Sequence, residues 1–267
     1  MEFRILTEMH DLEVLCELER EIWASPEREL APIVVRVSTL RGGLAIGAYD
    51  AGRMIGMLWA FPALRGSECI LWSFVAGVLP EYRAANIGFE LKQIQRRWAL
   101  ERGYRVVGWT FDSMRSQNAN FNLRRLGAYV QDFIPNLYGE ISDALNVGLP
   151  TDRYEVTWDL RDPRVEAAAR GEIIPAYAGD PLALPSLLAF DSAQITAAGT
   201  IPDGLAGFRL EIPGDYAAVM RDRPDLGRPW QTALRELSMA AFKRGFRAVD
   251  VVRESGRCWY VLTLQPE

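Results

Sequence analysis

The sequence predicts an α/β protein, more closely an α+β fold built on one mixed sheet. Three observations support this prediction: a strand–turn–helix segment over residues 71–102, a β-hairpin around residues 50–53, and a second strand–helix–strand segment after residue 205. The chain has 267 residues, 49% hydrophobic and 24% charged, which is ordinary for a globular protein. This length fits one large domain or two of modest size.

The first part of the chain is predicted to form a strand, two helices and a hairpin. The ranges are residues 2–6, 11–23, 33–40, 44–49 and 54–61. Leu15, Leu18 and Ile22 recur on one face of the first helix. Gly52 favours the hairpin turn because glycine accepts a positive φ.

The central strand, residues 71–78, is rich in apolar, β-branched and aromatic residues, and Pro80 ends it by removing a backbone donor. Small residues at 83–88 then lead into an amphipathic helix. The residues that recur at helical spacing along this helix are Leu91, Ile94, Gln95, Trp98, Ala99 and Arg102. Lys92, Arg96 and Arg97 are predicted to point mostly elsewhere.

The next predicted elements are a strand, a helix ended by Gly127, and two more strands. Their ranges are residues 104–111, 117–126, 129–134 and 154–160, with a long connection over 135–153. We predict that residues 1–160 form one domain. Residues 161–204, rich in Ala, Pro and Gly, are predicted to be a linker with one extended segment at 184–190.

The last part of the chain, residues 205–267, partly repeats the central pattern. A strand followed by Pro213 precedes a helix that ends in Arg244-Gly245-Phe246-Arg247, much as the earlier helix ends in Arg102-Gly103-Tyr104-Arg105. We interpret it as a degenerate partial repeat without a second ligand-binding loop. Two ordinary strand–helix–strand units would give the same likeness.

The loop before the central helix is the strongest functional signal. Small residues there leave backbone N–H groups exposed at the positive end of a helix dipole, which suits a phosphate or pyrophosphate. An ordinary tight turn is the alternative interpretation. Neither the Walker pattern nor the Rossmann glycine pattern is present.

The segment Val78-Leu79-Pro80-Glu81-Tyr82-Arg83-Ala84-Ala85-Asn86-Ile87-Gly88 resembles the acyl-CoA motif of the GNAT N-acyltransferases. In that family the loop amides hold the CoA pyrophosphate and the preceding strand pairs with the pantetheine arm. The resemblance therefore implies a set of residues that bind acetyl-CoA or another acyl-CoA: Val75, Gly77, Val78, Arg83, Ala84, Ala85, Asn86, Ile87, Gly88, Asn118 and Phe121. The chain departs from the motif at Asn86, where the family usually has glycine.

Further motifs are similar to one branch of this family, with some members linked to N-acylation, including N-succinylation, of amino acids. They are Gln95–Leu100, Trp109–Asp112, Asn118–Asn122, Leu126–Ala128, Asn136–Glu140 and Gly148–Arg153. This branch carries histidines on the central strand, whereas this chain has Trp72 and Phe74 there.

Acyl transfer to an amine requires a held thioester, a neutral amine and a stabilised oxyanion. Many family members protonate the leaving thiolate with a tyrosine, but the corresponding residue here is Leu123. Tyr138 is our substitute candidate, and Asp112 is the candidate for orienting an amine or a water. Each has a structural alternative: a tyrosine packed on its loop, and an aspartate that caps the following turn.

Other polar residues receive weaker predictions. Arg115, Arg124 and Arg153 are candidates for binding a carboxylate, and Asn118 and Asn122 are predicted to share a helix face. Cys16, Cys69 and Cys258 are predicted to be reduced and mostly buried, and Cys69 is disfavoured as a nucleophile. With one histidine, His10, no metal site is expected.

The net charge of −5 makes nucleic acid and anionic membranes poor partners, and the sequence favours a cytoplasmic protein. The predicted function is CoA-dependent N-acylation of a small amine such as an amino acid, with acetyl-CoA as the default donor and succinyl-CoA open. A homodimer also stays open. The alternatives are a non-catalytic acyl-CoA sensor and an assembly protein that has lost CoA.

Overall fold

The computed structural model describes residues 1–24, 30–139, 150–191 and 193–264. The chain forms two compact units. The first contains Met1–Trp109 and Asp159–Arg161, and the second contains Thr110–Trp158 and Asp162–Glu267. The predicted domain boundaries at residues 160 and 204 stay predictions.

The first unit is an antiparallel sheet that ends in one parallel pair. Its strands are β1 (Glu2–Ile5), β2 (Leu44–Asp50), β3 (Arg53–Arg65), β4 (Glu68–Val78) and the start of β5 (Val106–Asp112), and its helices are α1 (Met9–Trp23), α2 (Pro32–Thr39) and α3 (Ile87–Glu101). The strands lie in the order β1-β2-β3-β4-β5, and β5 is parallel to β4. The predicted strands, helices and hairpin of this part are confirmed.

The second unit holds the end of β5 and the rest of the chain. Its elements are α4 (Ser116–Ala119), a π-helical turn (Asn120–Arg125), β6 (Tyr129–Ile134), β7 (Arg153–Asp159), α5 (Pro163–Ala169), β8 (Ser186–Phe190), β9 (Ile195–Ala197), β10 (Gly207–Ile212), α6 (Tyr216–Asp222), α7 (Pro224–Lys243), β11 (Phe246–Glu254) and β12 (Arg257–Leu264). Its strands lie in the order β7-β6-β11-β12-β10-β8-β9. Together the two units confirm the predicted mixed-sheet α/β class.

The core of the first unit forms where apolar residues recur at helical or strand spacing. α1 buries Leu12, Leu15, Cys16 and Leu18. α3 buries Leu91, Gln95, Trp98 and Ala99, which recur at helical spacing, but it also buries Lys92, which is only 4% exposed. The prediction that Lys92 points elsewhere is therefore wrong, and its physical reason is described with the site below.

The core of the second unit contains large aromatic side chains whose polar atoms are satisfied. The Tyr154 hydroxyl lies 2.6 Å from the Ser238 hydroxyl, and the Tyr260 hydroxyl donates to the Ser113 carbonyl at 2.7 Å. The Trp158 indole N–H donates to the Leu126 carbonyl at 2.9 Å. Burying these rings without such partners would cost about 1–3 kcal/mol for each group.

The segment predicted as a linker contributes to a sheet. β8 pairs in parallel with β10, through Arg209 with Ser186 and Leu210 with Leu188. The tail resembles the β4–α3–β5 segment in element order but not in pairing. β12 lies between β10 and β11, whereas β4 and β5 pair directly.

Candidate functional site

The loop that joins β4 to α3 is a 3₁₀ turn, Pro80–Ala85, followed by Asn86. Asn86 adopts the left-handed conformation, with φ 63° and ψ 8°. Asparagine is one of the few residues with a side chain that enter this region readily. The chain therefore makes the sharp turn into α3 without the glycine usual in the motif.

The side chain of Asn86 makes no capping hydrogen bond to the amino terminus of α3. The Asn86 carbonyl accepts hydrogen bonds from the N–H groups of Phe89 and Glu90, at 3.1 and 3.2 Å, which starts the helix. A helix terminus left in this state attracts an anion through its N–H groups and its dipole.

Space is open beside this terminus at Gly88. A Cβ placed on Gly88 would meet no neighbouring atom within 4 Å in the part of the chain that the structure describes, and Gly88 does not have a positive φ. Neither backbone conformation nor packing therefore requires glycine here. Close approach of a ligand to the backbone is one physical reason for glycine at such a position.

The carboxyl-terminal half of β4 separates from β5. The two strands pair at Leu71 with Val107 and at Trp72 with Gly108. On the other edge, Val75 pairs with Trp59 and Ser73 pairs with Ala60, so Phe74 is the extra residue of a β-bulge. Within the first unit, β4 thus continues beyond its last pair with β5, and its edge there is available for hydrogen bonding.

The other residues predicted to bind CoA in this segment differ in how exposed they are and in what their side chains contact. A Cβ on Gly77 would lie 2.5 Å from the Trp23 ring, so packing of α1 accounts for that glycine. Arg83 is exposed and its Nε donates to the Val78 carbonyl at 3.3 Å. Val75 is half-buried. Ile87 is buried, so only its backbone can contact a ligand.

A buried polar cluster that the sequence did not indicate lies where β4 and β5 separate. The Lys92 amine donates to the Ser73 hydroxyl at 2.9 Å and to Gln95 Oε1 at 3.1 Å. It also lies 3.7 Å from the centre of the Trp109 ring. Burial lowers the pKa of Lys92 well below its usual value. Burial disfavours the charged form of the amine, and the hydrogen bonds to Ser73 and Gln95 satisfy its polar group, so the side chain can lie in the core.

The fold of this chain is similar to that of several solved structures. Naa20 of Chaetomium thermophilum, in complex with a bisubstrate analogue, is 15% identical over 66% of this chain and 93% of its own, with a TM-score of 0.50. The protein smu.2055 of Streptococcus mutans is 17% identical over 60% of this chain and 99% of its own, also at 0.50. A protein of Desulfovibrio desulfuricans assigned to the GNAT family of acetyltransferases is 15% identical over 60% and 98%, at 0.49.

This chain has the GNAT fold. The sequence resemblance is thereby confirmed at the level of the fold. A scan against family models finds no match, and a search of curated proteins finds none either. At identities this low, activity and substrate are matters for a proposal.

The two candidate catalytic residues predicted from the sequence, Asp112 and Tyr138, belong to the second unit. Asp112, at the end of β5, accepts hydrogen bonds from its neighbours: the Met114 N–H at 2.9 Å and the Arg115 Nε at 3.2 Å. The structure thus shows the turn-capping arrangement, and it commits Arg115 to Asp112. Tyr138 is 51% exposed and its hydroxyl lies 3.3 Å from the Thr110 hydroxyl. Glu140 and residues 148–149 of the branch motifs lie outside the described residues.

The helix after β5 differs from the prediction. Instead of a continuous α-helix over 117–126, a short α4 passes into the π-helical turn, and Gly127 ends it with φ 74°. The wider turn separates the two asparagines predicted to share a face, so that Asn118 is exposed and Asn122 is buried. Phe121 is half-buried, and Leu123 is fully buried in the core.

A polar cleft within the second unit contains Asp112 and residues that sequence reasoning did not connect with it. Its lining residues are Asp112, Pro150, Thr151, Asp152, Arg153, Tyr216 and Gln231. Asp152 is already paired with Arg235 at 2.8 Å. The Nε of Arg153 is buried and has no hydrogen-bond partner among the residues described, and its guanidinium lies over the Tyr138 ring at 5.1 Å. Burial raises the pKa of Tyr216, with the Asp112 charge adding to the effect.

Three other predictions have simple outcomes. Cys69 is exposed, so its predicted burial is wrong: it is the second residue of β4 and lies opposite Leu64, which is itself 76% exposed at the end of the hairpin. Cys16 and Cys258 are buried as predicted. Arg124 donates to the Val251 carbonyl at 3.2 Å. Over the described ranges, no cluster of His, Cys, Asp and Glu suits a metal, and no helix is long and apolar enough to cross a membrane.

Proposed function

We propose that this chain is an acyl-CoA-dependent N-acyltransferase that acts on a small amine such as an amino acid. Acetyl-CoA is the default donor and succinyl-CoA the alternative. The observation that carries the proposal is the amino terminus of α3, which the Asn86 side chain does not cap, with the open space at Gly88 beside it. An anionic pyrophosphate fits this terminus because its N–H groups and dipole both favour negative charge.

The strand before this terminus supports the same proposal. An extended pantetheine arm can hydrogen-bond to the β4 edge beyond Trp72 as an added strand would. The edge amides near the bulge can then donate to the thioester oxygen as negative charge develops on it. Direct attack follows: the amine nitrogen bonds to the thioester carbon, the carbon–sulfur bond breaks, and the sulfur takes up a proton.

An amino acid is proposed as the acceptor because the branch motifs of the sequence resemble those of family members linked to N-acylation of amino acids. The buried Arg153 Nε offers a donor to the carboxylate of such an acceptor. Tyr138, stacked on Arg153, is proposed to position that guanidinium or to donate its hydroxyl proton during transfer.

Two measurements test the transferase. Release of free thiol from acetyl-CoA or succinyl-CoA is followed with a panel of amino acids and with the amines obtained by decarboxylating them. We expect turnover with amino acids and little with the decarboxylated amines, and Arg153→Met should raise KM for the amino acid. Arg125→Met, at an exposed arginine, is the matched control. The proposal is wrong if neither acetyl-CoA nor succinyl-CoA releases free thiol and CoA does not stabilise the protein against heat.

A second candidate is an acyl-CoA-binding sensor without catalysis. The specific observation in its favour is Leu123, which is fully buried and supplies no acid where many family members carry a tyrosine. The same measurements separate the two. Thermal stabilisation by CoA without thiol release, for any amine of the panel, would favour the sensor.

A further inference from the structure

The Lys92 amine is chemically unusual in this chain. Lys92 and Lys243 are the two lysines among thirty lysine and arginine residues, and every other position uses arginine. Lys243 is exposed near the end of α7, whereas Lys92 is 4% exposed within the first unit. The deeply buried position thus carries the basic side chain that can lose its proton, since arginine stays charged in proteins.

The position of the amine relates it to the β4 edge. The last residues that pair between β4 and β5 are Trp72 and Gly108. The Lys92 amine contacts the next residue on each strand, which is Ser73 on β4 and Trp109 on β5. The amine therefore lies at the point where the two strands separate, which is the inner end of the free β4 edge.

This point is within reach of a thioester bound along β4. The strand from Ser73 to Val78 spans about 17 Å at the usual rise of a β-strand, comparable to an extended pantetheine arm. With the pyrophosphate at the α3 terminus, the sulfur end of the arm comes to the bulge region. The bulge residue Phe74 directly follows Ser73.

We propose that the Lys92 amine carries the proton that acyl transfer must move, taking it from the acceptor ammonium and returning it to the CoA sulfur. The inference rests on the proposed transferase function. In the first step the ammonium gives a proton to the lone pair of Lys92 Nζ. The amine then attacks the thioester carbon, the carbon–sulfur bond breaks, and Nζ gives its proton to the thiolate. The second proton, on the new amide nitrogen, goes to water, and Lys92 is again neutral.

The contacts described for Lys92 favour a neutral resting amine. They are with uncharged groups: Ser73 from β4, Gln95 from α3 and Trp109 from β5. The Arg65 guanidinium lies beside Gly108, the residue before Trp109 on β5. Burial is the cause of the lowered pKa of Lys92. A proton carrier works best when its pKa lies near the working pH. An ordinary exposed lysine does not satisfy this condition, because its pKa of about 10.4 lies well above neutral pH.

Lysine-selective isotope labelling of the full chain tests this directly, because only two side-chain signals arise. Lys243 serves as the internal reference for an exposed amine. We expect Lys92 to titrate well below the usual range of a lysine, and its signal to shift when acetyl-CoA is added. A Lys92 signal with the ordinary pKa of about 10.4 would overturn the proposal.

Kinetics provide the second test. With acetyl-CoA and the amino acid panel, Lys92→Met should lose about 10²- to 10⁴-fold in kcat, the usual contribution of a positioned acid–base group, with KM for acetyl-CoA unchanged. The limb of the pH profile centred on the Lys92 pKa should also disappear. Lys243→Met is the control and should behave as the wild type does.

The outcomes distinguish the two levels of inference. If the wild type neither binds nor consumes acetyl-CoA, the proposed function itself is wrong and this inference falls with it. If the wild type turns over and Lys92→Met matches it while folded, only the role of Lys92 is wrong. Thermal unfolding of the variant confirms that it is folded, and methionine fills the same volume without a polar group.

Discussion

Gly88→Glu should stabilise the fold while it removes CoA binding. The open space at Gly88 accepts a side chain without a clash, because a Cβ there meets no atom within 4 Å. Replacing a helical glycine gains about 0.5–1 kcal/mol in helix propensity. A carboxylate in the first turn of α3 adds about 0.3–1 kcal/mol through the helix dipole. For a chain of this size, the combined gain of about 1–2 kcal/mol should raise the melting temperature by about 2–8 °C.

The same carboxylate opposes a bound pyrophosphate. At a separation of about 5 Å and an effective dielectric constant of about 20, two like charges repel by about 3 kcal/mol. This corresponds to about a 100-fold loss of affinity, before any steric effect is added. Stability and binding should therefore change in opposite directions, which is not the behaviour of a variant that is merely misfolded.

The assay is calorimetric titration with CoA beside thermal unfolding without it. Arg97→Glu, at an exposed position on the same helix, is the control for charge and should bind CoA almost as the wild type does. If Gly88→Glu is as stable as expected and still binds CoA with wild-type affinity, the α3 terminus is not the pyrophosphate site.

Three further predictions follow from the structure. Asn86→Ala should lose about 1–2 kcal/mol of unfolding free energy, measured by denaturant titration, because alanine is strained at φ 63°. Asn86→Gly should keep both stability and CoA binding. Equal stabilities for the two variants would contradict this prediction. Between the lowered pKa of folded Lys92 and about pH 10.4, the unfolded chain binds one more proton at Lys92 than the folded chain does. The free energy of unfolding of the wild type should therefore rise by about 1.4 kcal/mol per pH unit relative to that of Lys92→Met. Parallel curves of unfolding free energy against pH for the two proteins would refute this prediction. Arg235→Met should cost about 3–5 kcal/mol in denaturant titration, because it leaves the buried Asp152 carboxylate unpaired, while Arg161→Met should cost little.

Local signals in the sequence account well for the fold of the first unit. The hairpin at Gly52 is confirmed, with φ 84° at that residue, and the helix end at Gly127 is confirmed in the second unit. The unusual conformation of Asn86 also follows from sequence, because asparagine is the residue that best replaces glycine in the left-handed region. These features depend on one residue and its immediate neighbours, so a single sequence contains them.

Features that depend on distant residues were not predicted. Hydropathy assigns Lys92 to the outer face of its helix because it treats lysine as charged, whereas burial between two strands lowers the pKa of Lys92 and disfavours that charge. The exposure of Cys69 depends on how far the β3–β4 hairpin extends. Likewise, the pairing of residues 186–188 with β10 cannot be inferred from a segment rich in proline.

The candidate site was only partly accessible to sequence reasoning. The motif around Asn86 and Gly88 led to the α3 terminus, and Asp112 was selected because it ends a strand. The cleft around Asp112 also contains Tyr216 and Gln231, more than a hundred residues further along the chain. No local pattern connects them, and a contact of that sequence separation becomes visible only in the fold.

The most direct test of the central claim is a titration of the isotope-labelled protein with CoA, observed through its backbone amides. Binding of the pyrophosphate at the start of α3 predicts large, saturable shifts at the amides of Asn86, Ile87 and Gly88. Saturable binding of CoA that leaves these three amides unchanged would contradict the account.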